Sequence, residues 1–536
     1  MPLTFSGVLI AGMVLGFNLH DTLRNKRDIS SVAGRDDRLE EIIGLINERY
    51  VDTVNSNGLY KEAISGILKS LDPHTVYIPA DEVQSVNEDL DGNFPGIGVE
   101  FSIVRDTVEV TSVTEKGPAG KAGVEVGDKL LRVGDSMVAG KGISSEQIIA
   151  MLKGKKSTSV ALTIKRPCNG VKQFSIVRDD IPLYSVDASI MLDGKTGFIK
   201  INRFSATTYD EFREGLTKLK AQGAKQLILD LRDNPGGYLS AATSIADDLL
   251  GDNKLIVYTE GQKAPKSEFK ATAEGLFEEG KVAVLVDEGS ASASEILAGA
   301  IQDWDRGVII GRRTFGKGLV QEQYDMPDGA ALRLTIAKYY TPSGRCIQRS
   351  FANGREAYME DYEKRFESGE LTGCDTIGNC GNGVPFFTSH HRTVYGGGGI
   401  KPDVYVPYDT TKLTAALMNM ILSPELKTAV WDYFMQNKPA LAYKNINDFS
   451  KSFNAEKQVV NNYIAMLPDA DRKSAARQFT NQASYNYFRL QVKAQLARFL
   501  FHDNGYYSIR LQDDAVVNKA LETLNSGRYS HLVAGK

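Results

Sequence analysis

The spacing of hydrophobic residues changes along the chain and divides it into regions. Between residues 37 and 70, apolar side chains recur every three to four positions, which predicts helices. Residues 92–166 instead contain short β-like runs separated by glycines, with one helix predicted near Ser145–Leu152. From residue 183 buried strands alternate with amphipathic helices, and from about residue 409 the pattern is mainly helical.

Alternation of strands and helices is typical of a largely parallel sheet with right-handed crossovers. The predicted buried strands include GFIKI, QLILDL and VAVLV, and a helix is predicted from about Ser294 to Trp304. Thr208 and Glu211 have the spacing of a capping box at the start of the helix after GFIKI. A β-hairpin is predicted to turn at Asp328–Gly329.

The sequence therefore predicts a multidomain α/β protein with five parts. These are a signal peptide or membrane anchor (1–20), an N-terminal helical segment (37–91), a β-rich domain (92–180), an α/β core (181–408) and a C-terminal helical domain (409–536).

The first twenty residues contain no Asp, Glu, Lys or Arg, and most of them form the apolar run LTFSGVLIAGMVLGF. A run of this length predicts a signal peptide or an inner-membrane anchor, and therefore export to the periplasm or cell envelope. No basic residue precedes the run and no small-x-small cleavage motif follows it. The choice between anchor and cleaved signal stays open.

Composition excludes several classes of protein. With 63 basic and 67 acidic residues, the formal net charge of -4 gives no basic footprint for nucleic acid. Four cysteines without a CxxC pair are too few for a disulfide scaffold or a zinc ribbon. Cys374 and Cys380 flank a Gly/Asn-rich stretch and would close a small disulfide loop in an oxidising compartment, with free buried thiols as the alternative.

A candidate nucleophile lies in the segment DEGSASASEILAGA (287–300), where a buried strand runs into a helix. A serine at such a turn lies beside free backbone N–H groups and the helix dipole, which stabilise a developing oxyanion. Ser290, Ser292 and Ser294 alternate here, so the pattern alone does not select one of them. Helix capping is the alternative role for these serines.

A serine nucleophile needs a base, and the histidines offer no obvious one. None of the six histidines lies between residues 183 and 340, and the chain contains no GxSxG motif. Lys317, between Gly316 and Gly318, is the candidate base because burial lowers the pKa of a lysine amine. Gln321 lies four residues further on and is predicted to face the same side of the strand GLVQEQY, where it would hold the amine.

Two glycine-rich segments have alternative interpretations. Residues 311–318 match the start of a phosphate-binding loop, but Gly318 replaces the required Ser or Thr and a strand is predicted instead of a helix. We therefore predict no nucleotide site there. In DLRDNPGG (230–237), Gly236 and Gly237 follow a buried strand, either as a plain turn or as backbone N–H donors to the active site.

Six segments, in order along the chain, resemble the signature blocks of the C-terminal processing peptidases, also called tail-specific proteases. They are LDPHTVYI, GNFPGIGVEF, DLRDNPGG, GSASASEILAGA, TFGKGLVQ and YYTPSGRCIQ, and the resemblance covers roughly residues 38–408. It implies a crotonase-like α/β protease core at 181–408 and a serine endopeptidase that needs no metal or organic cofactor.

The resemblance also implies roles for individual residues. Ser292 matches the family's nucleophile, Lys317 its general base and Gln321 the partner that orients the base. The oxyanion donors would be the backbone N–H groups of Ala293 and of Gly237 or, as the weaker alternative, Gly236.

The β-rich region resembles a PDZ domain at 92–180. Its glycine loop precedes a strand, so successive N–H groups would meet a peptide carboxylate while the strand accepts the peptide along its edge. The predicted loop residues are Gly96, Ile97, Gly98 and Val99, and the predicted pocket wall is Ile148 and Leu152. This implies protein or peptide substrates with apolar, uncharged C-termini.

Other functions remain open at this point. A binding protein on the same fold with a decayed catalytic site, or a cell-envelope adaptor built around the PDZ domain, are the alternatives to a peptidase. The helices beyond residue 409 lie outside the resemblance. They would gate the active site, bind a regulator or adaptor, or form a homo-oligomer.

Overall fold

A computed structural model describes residues 38–114, 116–167, 169–272, 274–373 and 384–534. The chain divides into two compact units, one ending at Leu71 and the other beginning at Asp72. In the first unit, helices α1 (Arg38–Arg49) and α2 (Ser56–Lys69) follow each other closely. Asn55 caps α2, since its Oδ1 accepts the N–H of Gly58 at 3.2 Å.

The second unit begins with a small β-rich region. Its elements are β1 (Val76–Ile78), α3 (Ala80–Asp91), β2 (Asn93–Gly96), β3 (Val99–Val104), β4 (Thr107–Val113), α4 (Pro118–Ala122), β5 (Lys129–Val133), β6 (Ser136–Met137), α5 (Ser145–Leu152), β7 (Ser159–Arg166), β8 (Gly170–Val177) and β9 (Asp179–Pro182). Strands β3-β4-β5-β7-β8 form an antiparallel sheet in this order, with β6 beside β5. Strand β3 therefore lies at the edge of this sheet.

The predicted helix at Ser145–Leu152 is confirmed with these bounds as α5. A capping box starts it, because Ser144 and Gln147 each accept the other's backbone N–H through their side chains.

The α/β region follows. Its elements are β10 (Val186–Met191), β11 (Thr196–Ile201), α6 (Thr208–Ala221), β12 (Gln226–Asp230), α7 (Leu239–Leu249), β13 (Leu255–Glu260), β14 (Ser267–Lys270), β15 (Lys281–Val286), α8 (Ala293–Asp303), β16 (Val308–Gly311), β17 (Leu319–Asp325), β18 (Ala331–Tyr340), α9 (Gly354–Met359), α10 (Asp361–Glu367), β19 (Pro385–Phe387), β20 (Thr393–Tyr395) and β21 (Val404–Tyr405). The core sheet has the order β10-β11-β12-β15-β16-β21 and is parallel except for β10.

A second sheet lies in the same region. It has the order β1-β18-β13-β14, and β17 also pairs with β18. The predicted hairpin at Asp328–Gly329 is confirmed by the antiparallel β17–β18 pair. Residues 76–78, predicted as part of a helical segment, form strand β1 instead. They pair with β18, and Tyr77 and its partner Leu332 are 255 residues apart, a separation that local periodicity does not report.

The C-terminal region is helical, as predicted. Its elements are α11 (Ala415–Leu422), α12 (Pro424–Asn437), α13 (Ile446–Ser452), α14 (Glu456–Met466), α15 (Asp469–Gln478), α16 (Gln482–Arg510), α17 (Ala515–Asn525) and α18 (Arg528–Val533), with 3-10 turns at Lys438–Ala440 and Leu511–Asp513. Helix α16 is kinked at Phe501 and His502, whose backbone angles are not helical.

Side chains of the core sheet alternate between two hydrophobic layers, as the two-residue period of a strand requires. On β12, Leu227 and Leu229 pack with helices α6 to α8, whereas Ile228 faces the opposite layer. That opposite layer contains Val517 and Leu524 of α17. The last two helices therefore cover one face of the core sheet, whereas α11 to α16 pack around a second hydrophobic cluster that also contains Val104 of β3.

Two local predictions have different outcomes. Helix α6 does begin at Thr208, but the predicted capping box is wrong: the carboxylate of Glu211 accepts the N–H groups of Ser185 and Val186 and the hydroxyl of Thr207.

The N-terminal apolar run and the pair Cys374 and Cys380 lie outside the described residues. In the described part of the chain, no helix combines the length and the apolar character that a membrane span requires.

Candidate active site

Ser292 occupies the turn between β15 and α8 in an unusual backbone conformation. Its φ of 55° and ψ of -113° are disfavoured for a residue with a Cβ, so the surrounding structure must hold this turn in place. Ser290 and Ser294 are fully buried, and their hydroxyls donate to the carbonyl groups of Leu231 and Asn234. Of these three serines, Ser292 alone lines the large cleft described below.

The carboxylate of Glu295 holds the Ser292 turn against the Lys317 turn. It accepts the backbone N–H groups of Ser292 (2.9 Å), Gly316 (2.7 Å) and Lys317 (2.8 Å) and the hydroxyl of Thr314 (2.5 Å). Burial raises the pKa of Glu295 to about 7, although these four donors act in the opposite direction. The sequence analysis did not assign Glu295 a role; its Ser-x-x-Glu spacing from Ser292 was the available signal.

Lys317 lies just before β17, and its amine contacts Gln321 as predicted. The Nζ atom donates to Gln321 Oε1 at 2.8 Å, and Gln321 Nε2 donates to the carbonyl oxygen of His74 at 2.6 Å. Burial lowers the pKa of Lys317, and the guanidinium of Arg333 lowers it further. The carboxylates of Asp72 and Glu295 act in the opposite direction and raise the pKa of Lys317.

A histidine from a distant segment does reach the site, which the sequence analysis did not foresee. The Nε2 atom of the His74 ring lies 2.9 Å from the hydroxyl oxygen of Tyr358, within hydrogen-bond distance. Burial and the positive charge of Lys317 lower the pKa of His74 to about 4, so its ring is neutral near pH 7. Its carbonyl oxygen fixes which way the Gln321 amide points, and therefore which atom of that amide meets Lys317.

The Asn-Pro-Gly-Gly turn lies against the Ser292 turn. A Cβ at Gly236 would meet Ser292 Cβ at 2.7 Å, and one at Gly237 would meet the Phe204 carbonyl oxygen at 2.0 Å, so neither position accepts a side chain. The N–H of Gly236 already donates to Asn234 Oδ1 at 2.9 Å. Within the described residues, the N–H groups of Gly237 and Ala293 have no such acceptor.

These residues meet in one cleft of about 780 Å³. Ser292, Lys317 and Gln321 line it together with the three predicted donors of the oxyanion hole. Apolar side chains of Leu239, Phe269, Ile296, Leu319 and Val320 form part of its wall.

The glycine-rich loop that contains Lys317 is followed by a strand, as predicted. Residues 312–318 connect β16 to β17, whereas a phosphate-binding loop leads into a helix.

A second groove, of about 570 Å³, runs along β3 and α5. The predicted residues Gly96, Ile97, Gly98, Val99 and Leu152 line it. Within the described residues, the N–H groups of Ile97 and Gly98 donate to no protein acceptor, which suits a loop that receives a carboxylate.

One predicted residue of the groove wall is wrong. Ile148 is fully buried in the hydrophobic core of the small β-rich region. Its neighbour Ile149 is 42% exposed and lines the groove instead. Neighbouring side chains on a helix point about 100° apart. Both Ile148 and Ile149 are apolar, so the sequence pattern of α5 did not distinguish its core face from its groove face.

Residues 195–354 match the profile of peptidase family S41, and residues 95–176 match the PDZ domain. Residues 195–354 are thus similar to peptidase family S41. The S41 region contains Ser292, Lys317 and Gln321, and the PDZ region contains most of the groove's lining residues, whereas Glu88 and the other α3 residues of the groove precede it. The predicted fold class, a multidomain α/β protein with a peptidase core, a PDZ domain and C-terminal helices, is confirmed. Residues 418–503 match a family of unknown function (DUF8443).

Curated relatives carry the name "Probable CtpA-like serine protease". The one from Staphylococcus epidermidis is 37% identical over 313 residues, which are 58% of this chain and 62% of the relative. One from Staphylococcus aureus is 35% identical over 327 residues, 60% of this chain and 64% of the relative. The alignments thus span less than two thirds of these relatives. A solved structure, the photosystem II D1 C-terminal processing protease, is 27% identical, with 58% of this chain and 89% of that chain covered and a TM-score of 0.34.

Proposed function

We propose that this protein is a serine endopeptidase in which Ser292 attacks the peptide carbonyl and Lys317 is the general base. The observation that carries the proposal is the state of Lys317: its side chain is partly buried, burial and Arg333 lower its pKa, and its Nζ atom donates to Gln321 Oε1 at 2.8 Å. A lysine in this environment loses its proton more readily than an exposed one, as a general base must. Ser292 lines the same cleft.

In the proposed reaction, neutral Lys317 takes the hydroxyl proton of Ser292 as the oxygen attacks the scissile carbonyl carbon. The backbone N–H groups of Ala293 and Gly237 donate to the resulting oxyanion. We favour Gly237 over Gly236 because the N–H of Gly236 is already bound to Asn234. The ammonium of Lys317 then protonates the leaving amine, and a water that Lys317 deprotonates hydrolyses the acyl-enzyme.

The PDZ groove is proposed to hold the C-terminal tail of the substrate. Its apolar wall of Ile149, Leu152 and Val99 suits an apolar terminal side chain, and the free edge of β3 suits a peptide added as a strand. We also propose that the protein acts after export, in the periplasm or cell envelope. That the C-terminal helices bind a regulator or a second copy of the chain stays a prediction.

The direct test uses one unstructured protein with two different C-termini. Wild-type enzyme is incubated with the protein ending in three apolar residues and, separately, in three acidic residues, and fragments are identified by mass spectrometry. We expect internal cleavages that appear faster with the apolar tail. Equal rates would contradict recognition through the groove, and the absence of fragments from both would contradict the peptidase.

Arg333 gives a test of the base that leaves the reacting groups intact. Because its charge lowers the pKa of Lys317, Arg333→Gln should raise that pKa and move the acidic limb of kcat/KM to higher pH. The matched control is Lys338→Gln, which removes an exposed cation from the same strand. An unchanged limb in Arg333→Gln, or an equal shift in both variants, would contradict Lys317 as the titrating base.

Replacing Glu295 by glutamine should lower kcat/KM roughly tenfold to a hundredfold, since one buried N–H donor would face an amide NH₂ group. The variant should also be less stable. Folding raises the pKa of Glu295 from 4.5 to about 7, so the folded wild type holds this proton more tightly than the unfolded chain does. The stability that this proton gives to the wild type is therefore lost as the pH rises from 4.5 to about 7, and the glutamine variant has no such loss. The stability deficit of Glu295→Gln should therefore shrink as the pH rises through this interval.

Thermal unfolding of both proteins across that pH range measures the deficit, with the exposed Glu279→Gln as control. A deficit that grows with pH would contradict the buried, proton-binding carboxyl.

A further inference from the structure

Helix α3 lies between the PDZ groove and the catalytic cleft, and its side chains reach both. Ser85, Glu88 and Asp89 line the groove. Asn87, Leu90 and Asp91, on the same helix, line the cleft with Ser292.

An ion pair lies in the groove. Lys153, at the C-terminal end of α5, binds the carboxylate of Glu88 through its amine. The same amine lies 4.5 Å from the centre of the Phe94 ring. Glu88 is only 8% exposed, so this contact is screened less by solvent than a surface ion pair.

The position of this pair is what an α-carboxylate would require. Lys153 lines the groove together with Gly96, Ile97 and Gly98, and the N–H groups of Ile97 and Gly98 are without protein acceptors in the described structure. Backbone N–H groups without an acceptor and an ammonium are the groups that bind a carboxylate, and here they line one groove. In the structure, the carboxylate bound to that ammonium belongs to the protein itself.

We infer that Lys153 binds the α-carboxylate of a peptide in the PDZ groove, and that Glu88 takes this place when no peptide is bound. The inference rests on the proposed peptide-binding function of the groove. The exchange leaves neither group buried without a partner. Lys153 passes from one carboxylate to another, and Glu88 keeps the side-chain amide of Gln84, whose Nε2 lies 3.3 Å from Glu88 Oε1.

The alternative is that the pair only fixes α3 against α5. A structural pair would affect all peptides alike, whereas a carboxylate site distinguishes a free C-terminus from an amidated one. The comparison of these two ligands therefore separates the two roles.

The experiment uses the full chain with Ser292→Ala, to prevent turnover. The probes are two fluorescent ten-residue peptides of glycine and serine ending in Val-Val-Ala, one with a free carboxylate and one with a carboxamide. Fluorescence anisotropy gives Kd for each. Lys153→Gln should weaken binding of the free carboxylate roughly tenfold and leave the carboxamide unchanged. Glu88→Gln, which removes the competitor, should tighten binding of the free carboxylate only.

Matched variants control for charge and folding. Lys141→Gln and Glu82→Gln make the same charge changes at exposed positions outside the groove and should leave both Kd values unchanged. Lys153→Arg should retain the preference for the free carboxylate. Equal weakening of both peptides by Lys153→Gln, or weaker carboxylate binding in Glu88→Gln, would overturn the inference while the groove's function stands. Failure of both peptides to bind before any change in the groove would overturn that function as well.

Discussion

Ser292→Ala should lower kcat/KM by at least ~10³-fold, because it removes the oxygen proposed to attack the substrate. The chain provides unusually close controls for this change. Ser290 and Ser294 lie two residues away on either side, are fully buried, and use their hydroxyls to bind backbone carbonyl groups. Ser290→Ala and Ser294→Ala should therefore reduce thermal stability, while the folded fraction keeps its activity.

The activity of all three variants is measured as the rate at which they cleave the apolar-tailed protein, with fragments quantified by mass spectrometry. The Kd for a peptide in the PDZ groove should be the same in Ser292→Ala as in wild type. This result would show that the substitution affects the reaction and not peptide binding. Comparable proteolysis by Ser292→Ala, or complete loss in a folded Ser294→Ala, would move the nucleophile to another residue.

The second large effect is expected at Lys317. Lys317→Arg keeps a positive charge and similar length, but a guanidinium does not lose its proton at usable pH, so kcat/KM should again fall by at least ~10³-fold. Lys317→Ala should be equally inactive, and added small alkyl amines should restore part of its activity by occupying the emptied space. The amine dependence of the rate is the measurement.

A result that excludes Lys317 as the base would make His74 the next candidate. If Lys317→Arg retained activity, the neutral ring of His74 would be the next candidate base, and His74→Gln would then be inactive. With Lys317 as base, His74→Gln should keep most of its activity, because its carbonyl oxygen, not its ring, contacts Gln321.

Local patterns were sufficient where a single segment determines its own structure. The helix at Ser145–Leu152 carries its own capping box, and the β17–β18 hairpin has Asp328–Gly329 at its turn. The contact between Lys317 and Gln321 also follows from local spacing, although a bulge between Val320 and Gln321 interrupts the regular register.

Contacts between distant segments were not available from the sequence. Strand β1 forms only by pairing with β18, and His74 reaches Gln321 across 247 residues. The Ser-x-x-Glu spacing of Ser292 and Glu295 is local, but the bonds of Glu295 to Gly316 and Lys317 join two separate turns. The roles of Ser292, Lys317 and the oxyanion donors remain predictions until the variants are measured.

If the PDZ groove holds the tail of a substrate, as proposed, the position of α3 sets a lower limit on the length of the released fragment. Residues of α3 line both the groove and the cleft, so such a tail would pass this helix to reach Ser292. A helix with its side chains is about 10–12 Å thick, and an extended chain advances about 3.3 Å per residue. Passing α3 therefore takes about three to four residues, in addition to those held in the groove and in the cleft. On the proposed mechanism, the protein would not trim one terminal residue at a time from the tail held in its groove.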